Sequence, residues 1–312
     1  MSEPVRIGIV LLPQDRWAVA REKWQRAEAY GFDHAWTYDH LSWRTLADEP
    51  WFATVPLLAA AAAVTERISL GTWVASPNFR HPVPFAKDVM GLDDVSDGRF
   101  LLGLGAGGEG ADAAVIGPAT SRGARTRRFA EFVGLLDQLL TQPVTEHTGE
   151  FYEAHGARML PGPIARPRVP FIIAANGPRA MELAAQHGQG WATYGPTFLE
   201  ERAPQGTPAQ AQESWWAGLA QLVRSFDQAL AAHRALTSER AAPIRRYLSL
   251  DGAPVFSLES VEVFVEGVER AAALGFTDVV VHWPRAEGVY AGSQAVLERV
   301  VDRLPELRAP GR

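Results

Sequence analysis

Residues 5–12 read VRIGIVLL, an almost unbroken apolar run that predicts how the whole chain folds. A run without polar alternation is typical of a strand buried on both faces of a parallel sheet. The next segment places Trp17 and Trp24 on one helical face, and Gly31 stands where a left-handed residue would end that helix. With a second strand near residues 35–38, these segments predict a βα unit.

The same alternation of strand and helix continues along the chain. Six further strands are predicted at residues 68–74, 100–104, 169–174, 190–194, 247–250 and 278–282. Eight strands with intervening helices in 312 residues favour a closed (β/α)8 TIM barrel over an open doubly wound sheet. Residues 144–168 and 195–210 are predicted as insertions within a single domain that spans residues 1–312. Ser257 is placed to cap the helix after the seventh strand.

Composition and motifs exclude several classes of protein. The net charge of -6 disfavours a nucleic-acid partner, and the absence of cysteine excludes disulfides, thiolate metal sites and a cysteine nucleophile. No HxH, HExxH or GxSxG pattern is present, so no metal site and no nucleophile elbow are predicted. Without a signal-peptide pattern or an apolar run of about 20 residues, we expect a soluble cytoplasmic protein with no membrane partner.

Active sites of TIM barrels lie at the carboxyl ends of the strands, which directs attention to the residues that follow each strand. Asp39-His40-Leu41-Ser42-Trp43 follows the second strand. His40 could exchange a proton near neutral pH, with Asp39 tuning it and Trp43 forming an apolar wall. The alternative is an aspartate that caps a helix beside a structural histidine. Tyr194 and His282, at the ends of the sixth and eighth strands, are predicted to line the substrate pocket with Trp43.

Two further loops could contact a cofactor. The fourth strand runs into GAGGEG at residues 105–110, where Gly105 and Gly107 allow close approach to a ring or phosphate and Glu109 could donate a proton. Its alternative is a tight turn only. Asn176-Gly177-Pro178-Arg179 opens the helix after the fifth strand, where backbone N–H groups and a guanidinium could bind phosphate. Its alternative is an ordinary capped helix start.

The order of several motifs along the chain resembles that of the luciferase-like monooxygenase family. The motifs are Gly31-Phe32-Asp33-His34-Ala35-Trp36 running into Asp39-His40, Gly71-Thr72 through His81-Pro82, Asp97-Gly98-Arg99-Phe100 into the glycine loop, Arg125-Thr126-Arg127-Arg128-Phe129, and Ala175-Asn176-Gly177. The resemblance covers nearly the whole chain. It implies a (β/α)8 barrel with an insertion, a homodimer, and FMN or coenzyme F420 as cofactor.

Asp39-His40 with a nearby Trp43 is similar to the deazaflavin-dependent branch, which includes the glucose-6-phosphate dehydrogenase type. That likeness implies that His40 is the catalytic acid or base, that Asp39 contacts the cofactor and that Glu109 donates a proton. It also implies a non-proline cis peptide within Thr72-Trp73-Val74 against the cofactor ring. The cofactor phosphate is expected at Asn176, Gly177, Pro178 and Arg179.

The leading hypothesis is therefore a coenzyme F420-dependent oxidoreductase that transfers a hydride between the deazaflavin and a small organic substrate. One alternative is an FMN-dependent monooxygenase that works with a separate flavin reductase. An alternative of another class is a non-catalytic flavin-binding protein. The cofactor supplies the hydride chemistry in either enzyme, while the protein orients the reactants and supplies protons.

Overall fold

Eight parallel strands close into a barrel, as the sequence predicts. The structure, a computed structural model, describes residues 4–108, 111–117, 120–196, 207–237 and 243–308. The barrel strands are β1 (Arg6–Val10), β2 (His34–Thr37), β3 (Ser69–Thr72), β4 (Phe100–Leu104), β7 (Phe171–Ala174), β8 (Gly190–Thr193), β9 (Arg245–Ser249) and β10 (Asp278–His282). They follow one another in chain order around the barrel, and β10 pairs with β1 to close it. The predicted (β/α)8 architecture is confirmed.

Two strands lie outside the barrel. β5 (Thr145–Thr148) and β6 (Glu153–Ala157) form an antiparallel pair within the first predicted insertion. The helix α5 (Arg122–Thr141) contacts this pair through Glu131, whose carboxylate accepts hydrogen bonds from the backbone N–H groups of residues 150–152. Of the second predicted insertion, residues 197–206 lie outside the described ranges.

Helices cover the outside of the barrel. They are α1 (Trp17–Ala29), α2 (Thr54–Ala62), α3 (Pro82–Val95), α4 (Ala111–Val115), α5 (Arg122–Thr141), α6 (Pro178–His187), α7 (Pro208–Thr237), α8 (Val261–Ala273) and α9 (Gln294–Leu307). The cap of α8 is Ser260 and not the predicted Ser257, because the Ser260 hydroxyl accepts the N–H of Val263 at 3.2 Å. Within the described ranges, no helix combines the length and apolar character needed to cross a membrane.

Most barrel strands contribute to two apolar cores, which explains the nearly unbroken apolar runs in the sequence. Ile7 and Ile9 of β1 join the large core between the strands and the helices, whereas Val10 joins a smaller core inside the barrel. The inner core also holds the rings of Trp36 and Tyr247. Because strands of a parallel barrel are covered on both faces, alternation of apolar and polar residues is lost.

A buried ion-pair network fills the amino-terminal end of the barrel. The carboxylate of Asp278 binds the guanidinium groups of Arg6 at 2.7 Å and Arg245 at 2.8 Å. It also binds Nε2 of His34 at 3.0 Å, while Nδ1 of His34 accepts the indole N–H of Trp36 at 2.6 Å. The imidazole is therefore neutral with its proton on Nε2, in agreement with burial, which lowers the pKa of His34. The network joins β1, β2, β9 and β10.

Replacing Asp278 by Asn should destabilise the protein strongly. The change leaves two guanidinium groups without their carboxylate, which at a buried pair costs on the order of 3 kcal/mol. Urea unfolding followed by circular dichroism measures the free energy of unfolding. The control is Asp15→Asn, since the Asp15–Lys23 pair is about a third exposed on both sides and should contribute less than about 1 kcal/mol. Equal, small effects of the two substitutions would contradict the assigned role of the network.

Candidate active site

A cavity of about 660 Å³ opens at the carboxyl ends of the barrel strands. At least one lining residue comes from the end of, or the loop after, each of six strands. Examples, in strand order, are Tyr38, Val74, Ala174, Thr193, Ser249 and Tyr290. Gly108, from the glycine loop after β4, also borders it. The cavity is therefore at the end of the barrel where the sequence argument expects the active site.

One indole ring and three small apolar side chains form one side of this cavity. Trp73, Val74, Ala174 and Ala192 line it, and the expected non-proline cis peptide bond joins Trp73 to Val74. The ring of Trp73 packs on that of Trp36 below, with 4.9 Å between the centroids. We call Trp73, Val74, Ala174 and Ala192 the apolar floor. It can accept a planar ring without polar groups being left unpaired.

His40 stands at the cavity with a carboxylate partner that the sequence argument did not assign. Its Nδ1 makes a very short hydrogen bond with Oδ2 of Asp112, which is carried by α4. Oδ1 of Asp112 accepts the backbone N–H groups of Leu41 at 2.7 Å and Ser42 at 3.2 Å. Because Asp112 is an acceptor at both oxygens, it fixes the proton on Nδ1 and leaves Nε2 of His40 for proton exchange.

The environment of Asp112 favours its charged form. Burial by itself would raise the pKa of Asp112. The hydrogen bond and charge of His40, with the N–H groups of Ser42 and Leu41, outweigh burial and lower this pKa. The pair can therefore keep a carboxylate beside the imidazole, and this arrangement stabilises an imidazolium that forms during proton transfer.

Asp39, which the sequence argument put at the cofactor and beside His40, does not line the cavity. It is 1% exposed, and its two carboxylate oxygens accept hydrogen bonds from Arg80 at 2.6 and 2.7 Å. This ion pair with two hydrogen bonds connects the end of β2 to the segment before α3. The carboxylate that contacts the His40 imidazole is thus Asp112, 72 positions further along the chain.

The glycine loop and Thr72 lie next to the apolar floor, on the side away from the cavity. A Cβ atom at Gly105 would lie 2.4 Å from Cγ2 of Val74, so only glycine fits there. Gly107 has a φ of +74°, which favours glycine as well. The hydroxyl of Thr72 is buried and donates to the carbonyl of Gly103 at 2.7 Å, away from the cavity. Glu109 lies outside the described residues.

The start of α6 adjoins the cavity through Asn176. The Asn176 side chain accepts the hydroxyl of Thr193, a lining residue, at 2.6 Å and donates to the carbonyl of Gly195 at 2.7 Å. Gly177 is the N-cap, and a Cβ atom there would meet nothing within 4 Å. Pro178 begins the helix, followed by Arg179. The first-turn N–H groups of a helix have no intrahelical acceptor and face outward from its end.

The predicted pocket residues divide into two groups. Trp43 and Tyr194 line the cavity, as expected from their positions after β2 and β8. His282 is 1% exposed and lies behind Tyr38, whose hydroxyl is 2.8 Å from its Nε2. Tyr38 and Tyr290 also line the cavity, although neither is among the residues predicted from the sequence. Tyr38 could have been found, since it directly precedes Asp39; Tyr290 lies eight positions after β10 and no motif marks it.

The profile of the family described as luciferase-like monooxygenase matches residues 4–211. A protein of Beutenbergia cavernae named F420-dependent glucose-6-phosphate dehydrogenase is 32% identical, with 92% of each chain covered. A protein of Streptomyces nodosus subsp. asukaensis named 4-hydroxyprotoasukamycin monooxygenase is 35% identical over 54% of this chain and 44% of its own length.

A solved structure has the same fold. It is described as an F420-dependent secondary alcohol dehydrogenase in complex with an F420-acetone adduct. The TM-score is 0.74 at 17% identity, with 98% of this chain and 100% of the other covered. At this identity the likeness supports the barrel fold alone.

Replacing Arg80 by Gln should lower stability because it leaves the buried carboxylate of Asp39 without its cation. The expected loss is about 3 kcal/mol in the free energy of unfolding, measured with urea. The control is Arg127→Gln, which removes a surface pair with Glu150 in which both side chains are more than half exposed and should change little. If Arg80→Gln unfolded like the control, Asp39 would not depend on this pair.

Proposed function

Because this chain belongs to the luciferase-like monooxygenase family, we propose that it is a coenzyme F420-dependent oxidoreductase that moves a hydride between the deazaflavin and a small organic substrate. The observation that carries the proposal is the His40–Asp112 pair beside an apolar floor in one cavity. An imidazole oriented by a carboxylate is suited to general acid–base work near neutral pH.

The residues of the cavity fit a flat cofactor ring. The apolar floor offers a planar surface, and the buried indole N–H of Trp215, a lining residue, has no acceptor among the described residues. A bound carbonyl or ring nitrogen could accept it. At the start of α6, Gly177 leaves open space and Arg179 adds a positive charge, which suits the phosphate of either cofactor.

When bound, the deazaflavin supplies the hydride donor or acceptor. His40 would act as the acid or base beside the cofactor ring, holding or releasing a proton at Nε2, while Asp112 holds its Nδ1. Asn176, Gly177, Pro178 and Arg179 would bind the cofactor phosphate, and Trp43 and Tyr194 would exclude water from the reacting groups. Glu109 stays a proposed second proton donor. The homodimer is likewise a prediction from the family.

The charges of the cavity favour an uncharged substrate. Among the lining residues that the structure describes, Arg44 is the one guanidinium, and Asp112 and Asp251 are carboxylates. A sugar phosphate, as in the name of the Beutenbergia relative, carries two negative charges that these groups would not balance. A neutral alcohol or carbonyl compound fits the floor and the aromatic walls better.

Purified protein should bind coenzyme F420 about tenfold more tightly than FMN, a difference of about 1.4 kcal/mol. Fluorescence titration of the cofactor-free protein with each compound measures this. The reverse order would favour the alternative, an FMN-dependent monooxygenase with a separate flavin reductase. Binding of neither compound would contradict the proposal.

The substitution His40→Gln should lower the rate of hydride transfer by about 10²- to 10⁴-fold while the dissociation constant of coenzyme F420 stays within a few-fold. The rate is followed by the absorbance of the deazaflavin with 2-propanol and glucose 6-phosphate as test substrates. His155→Gln is the control, because His155 is exposed on β6. Unchanged turnover in His40→Gln would remove His40 from the proton transfer.

A further inference from the structure

A second carboxylate–histidine pair contacts Tyr38, whose ring also lies beside that of His40. Oδ2 of Asp251 is 2.8 Å from Nδ1 of His282, and Nε2 of His282 is 2.8 Å from the hydroxyl of Tyr38. The Tyr38 hydroxyl is 2.9 Å from that of Tyr290. Both tyrosines line the cavity, so this chain of three hydrogen bonds runs from a buried carboxylate to the cavity wall. We call these four residues the tyrosine relay.

Several elements of the barrel rim hold the relay in place. Asp251 lies in the turn after β9, His282 ends β10, and Tyr38 follows β2. The ring of Tyr290 stacks on that of His282, with 3.7 Å between centroids and 7° between planes. On its other side, Tyr290 stacks on Trp43 at 6.1 Å. The relay is therefore fixed by packing as well as by hydrogen bonds.

The hydrogen bonds of Asp251 determine where the protons lie. Oδ2 accepts the backbone N–H of His282 at 2.6 Å, and Oδ1 accepts that of Ser257 at 3.0 Å. Since the carboxylate is an acceptor at both oxygens, Nδ1 of His282 must carry the proton that it donates to Asp251. In the neutral imidazole, Nε2 is then an acceptor.

The remaining hydrogens follow from this assignment. Tyr38 donates its hydroxyl hydrogen to Nε2 of His282, and its oxygen accepts the hydroxyl of Tyr290. Among the residues that the structure describes, none donates to the Tyr290 oxygen, whose lone pairs are therefore left for a group in the cavity. In this state the whole relay is oriented to accept a proton from a hydroxyl in the cavity, and an imidazolium formed at His282 would be paired with Asp251.

We propose that Tyr290 is a catalytic residue that exchanges the hydroxyl proton of the substrate, and that Tyr38, His282 and Asp251 are positioning residues that pass this proton on. The proposal rests on the proposed oxidoreductase function. For an alcohol, the bound deazaflavin would supply the acceptor for the hydride that the carbinol carbon loses, and the hydroxyl would lose its proton to Tyr290. The hydroxyl hydrogen of Tyr290 then moves to the oxygen of Tyr38, and the hydroxyl hydrogen of Tyr38 moves to Nε2 of His282. Reduction of a carbonyl runs the same transfers backwards.

The electrostatic environment supports transfer through neutral phenols. Burial, together with the neighbouring Tyr290 hydroxyl and the charge of Asp251, holds the pKa of Tyr38 well above its ordinary value. Burial also raises the pKa of Tyr290. Formation of a phenolate at either tyrosine is therefore unfavourable. A proton that Tyr290 gains from the cavity is passed on to His282, so that neither tyrosine keeps a charge.

The ionisation of a bound phenol tests the relay without turnover. 2-Fluoro-4-nitrophenol is bound to the full chain, with and without coenzyme F420, and its ionised fraction is followed by ¹⁹F NMR. We expect the bound phenol to ionise more readily than the free phenol at the same pH. The same result is expected in His40→Gln, which lacks the other imidazole near the cavity, so that His40 is not the group responsible. Tyr290→Phe and Tyr38→Phe should shift the ionisation equilibrium back by about tenfold, whereas the matched control Tyr152→Phe, outside the cavity, should not.

The outcomes separate the relay from the proposed function. An ionised fraction that is the same in wild type and Tyr290→Phe overturns the relay, as does failure of the phenol to bind, because a hydroxyl in the cavity could then not reach Tyr290. Both phenylalanine variants keep their rings in the packing, and circular dichroism checks their folding. Failure of the wild type to bind coenzyme F420 contradicts the proposed function, while the phenol result alone decides on the relay.

Discussion

The parallel pairing of β1 with β10 is the interaction on which the rest of the structure depends. Five residues of each strand are in register, from Arg6 opposite Asp278 to Val10 opposite His282. At the first of these pairs the buried Asp278 network joins four strands. At the last, His282 enters the tyrosine relay. One closed sheet thus sets both the stabilising ion pairs and the chemistry at the opposite end.

Two aspartates near His40 have different tasks. Asp39 is adjacent in the sequence, yet its carboxylate is bound by Arg80 and joins two barrel segments. Asp112 comes from α4 and contacts the imidazole itself. The separation has a physical advantage, because the carboxylate that holds the backbone in place is not also required to respond when His40 gains or loses a proton.

The fold could be predicted from the sequence because buried parallel strands leave nearly unbroken apolar runs such as residues 5–12 and 279–281. The strand ends also identified the rim where Trp43, Trp73 and Tyr194 line the cavity. The partners of each side chain could not be predicted. Asp112, Asp251 and Tyr290 meet His40, His282 and Tyr38 across 31 to 252 positions of sequence, and only barrel closure sets those distances.

The indole rings in the cavity wall have a consequence for how this protein can be studied. Trp43, Trp73 and Trp215, three of its ten tryptophans, line the cavity that would hold the cofactor ring. Indole emission is quenched by energy transfer to an absorbing flavin or deazaflavin nearby. The native tryptophan fluorescence of the protein should therefore report the occupancy of the cavity without any added label.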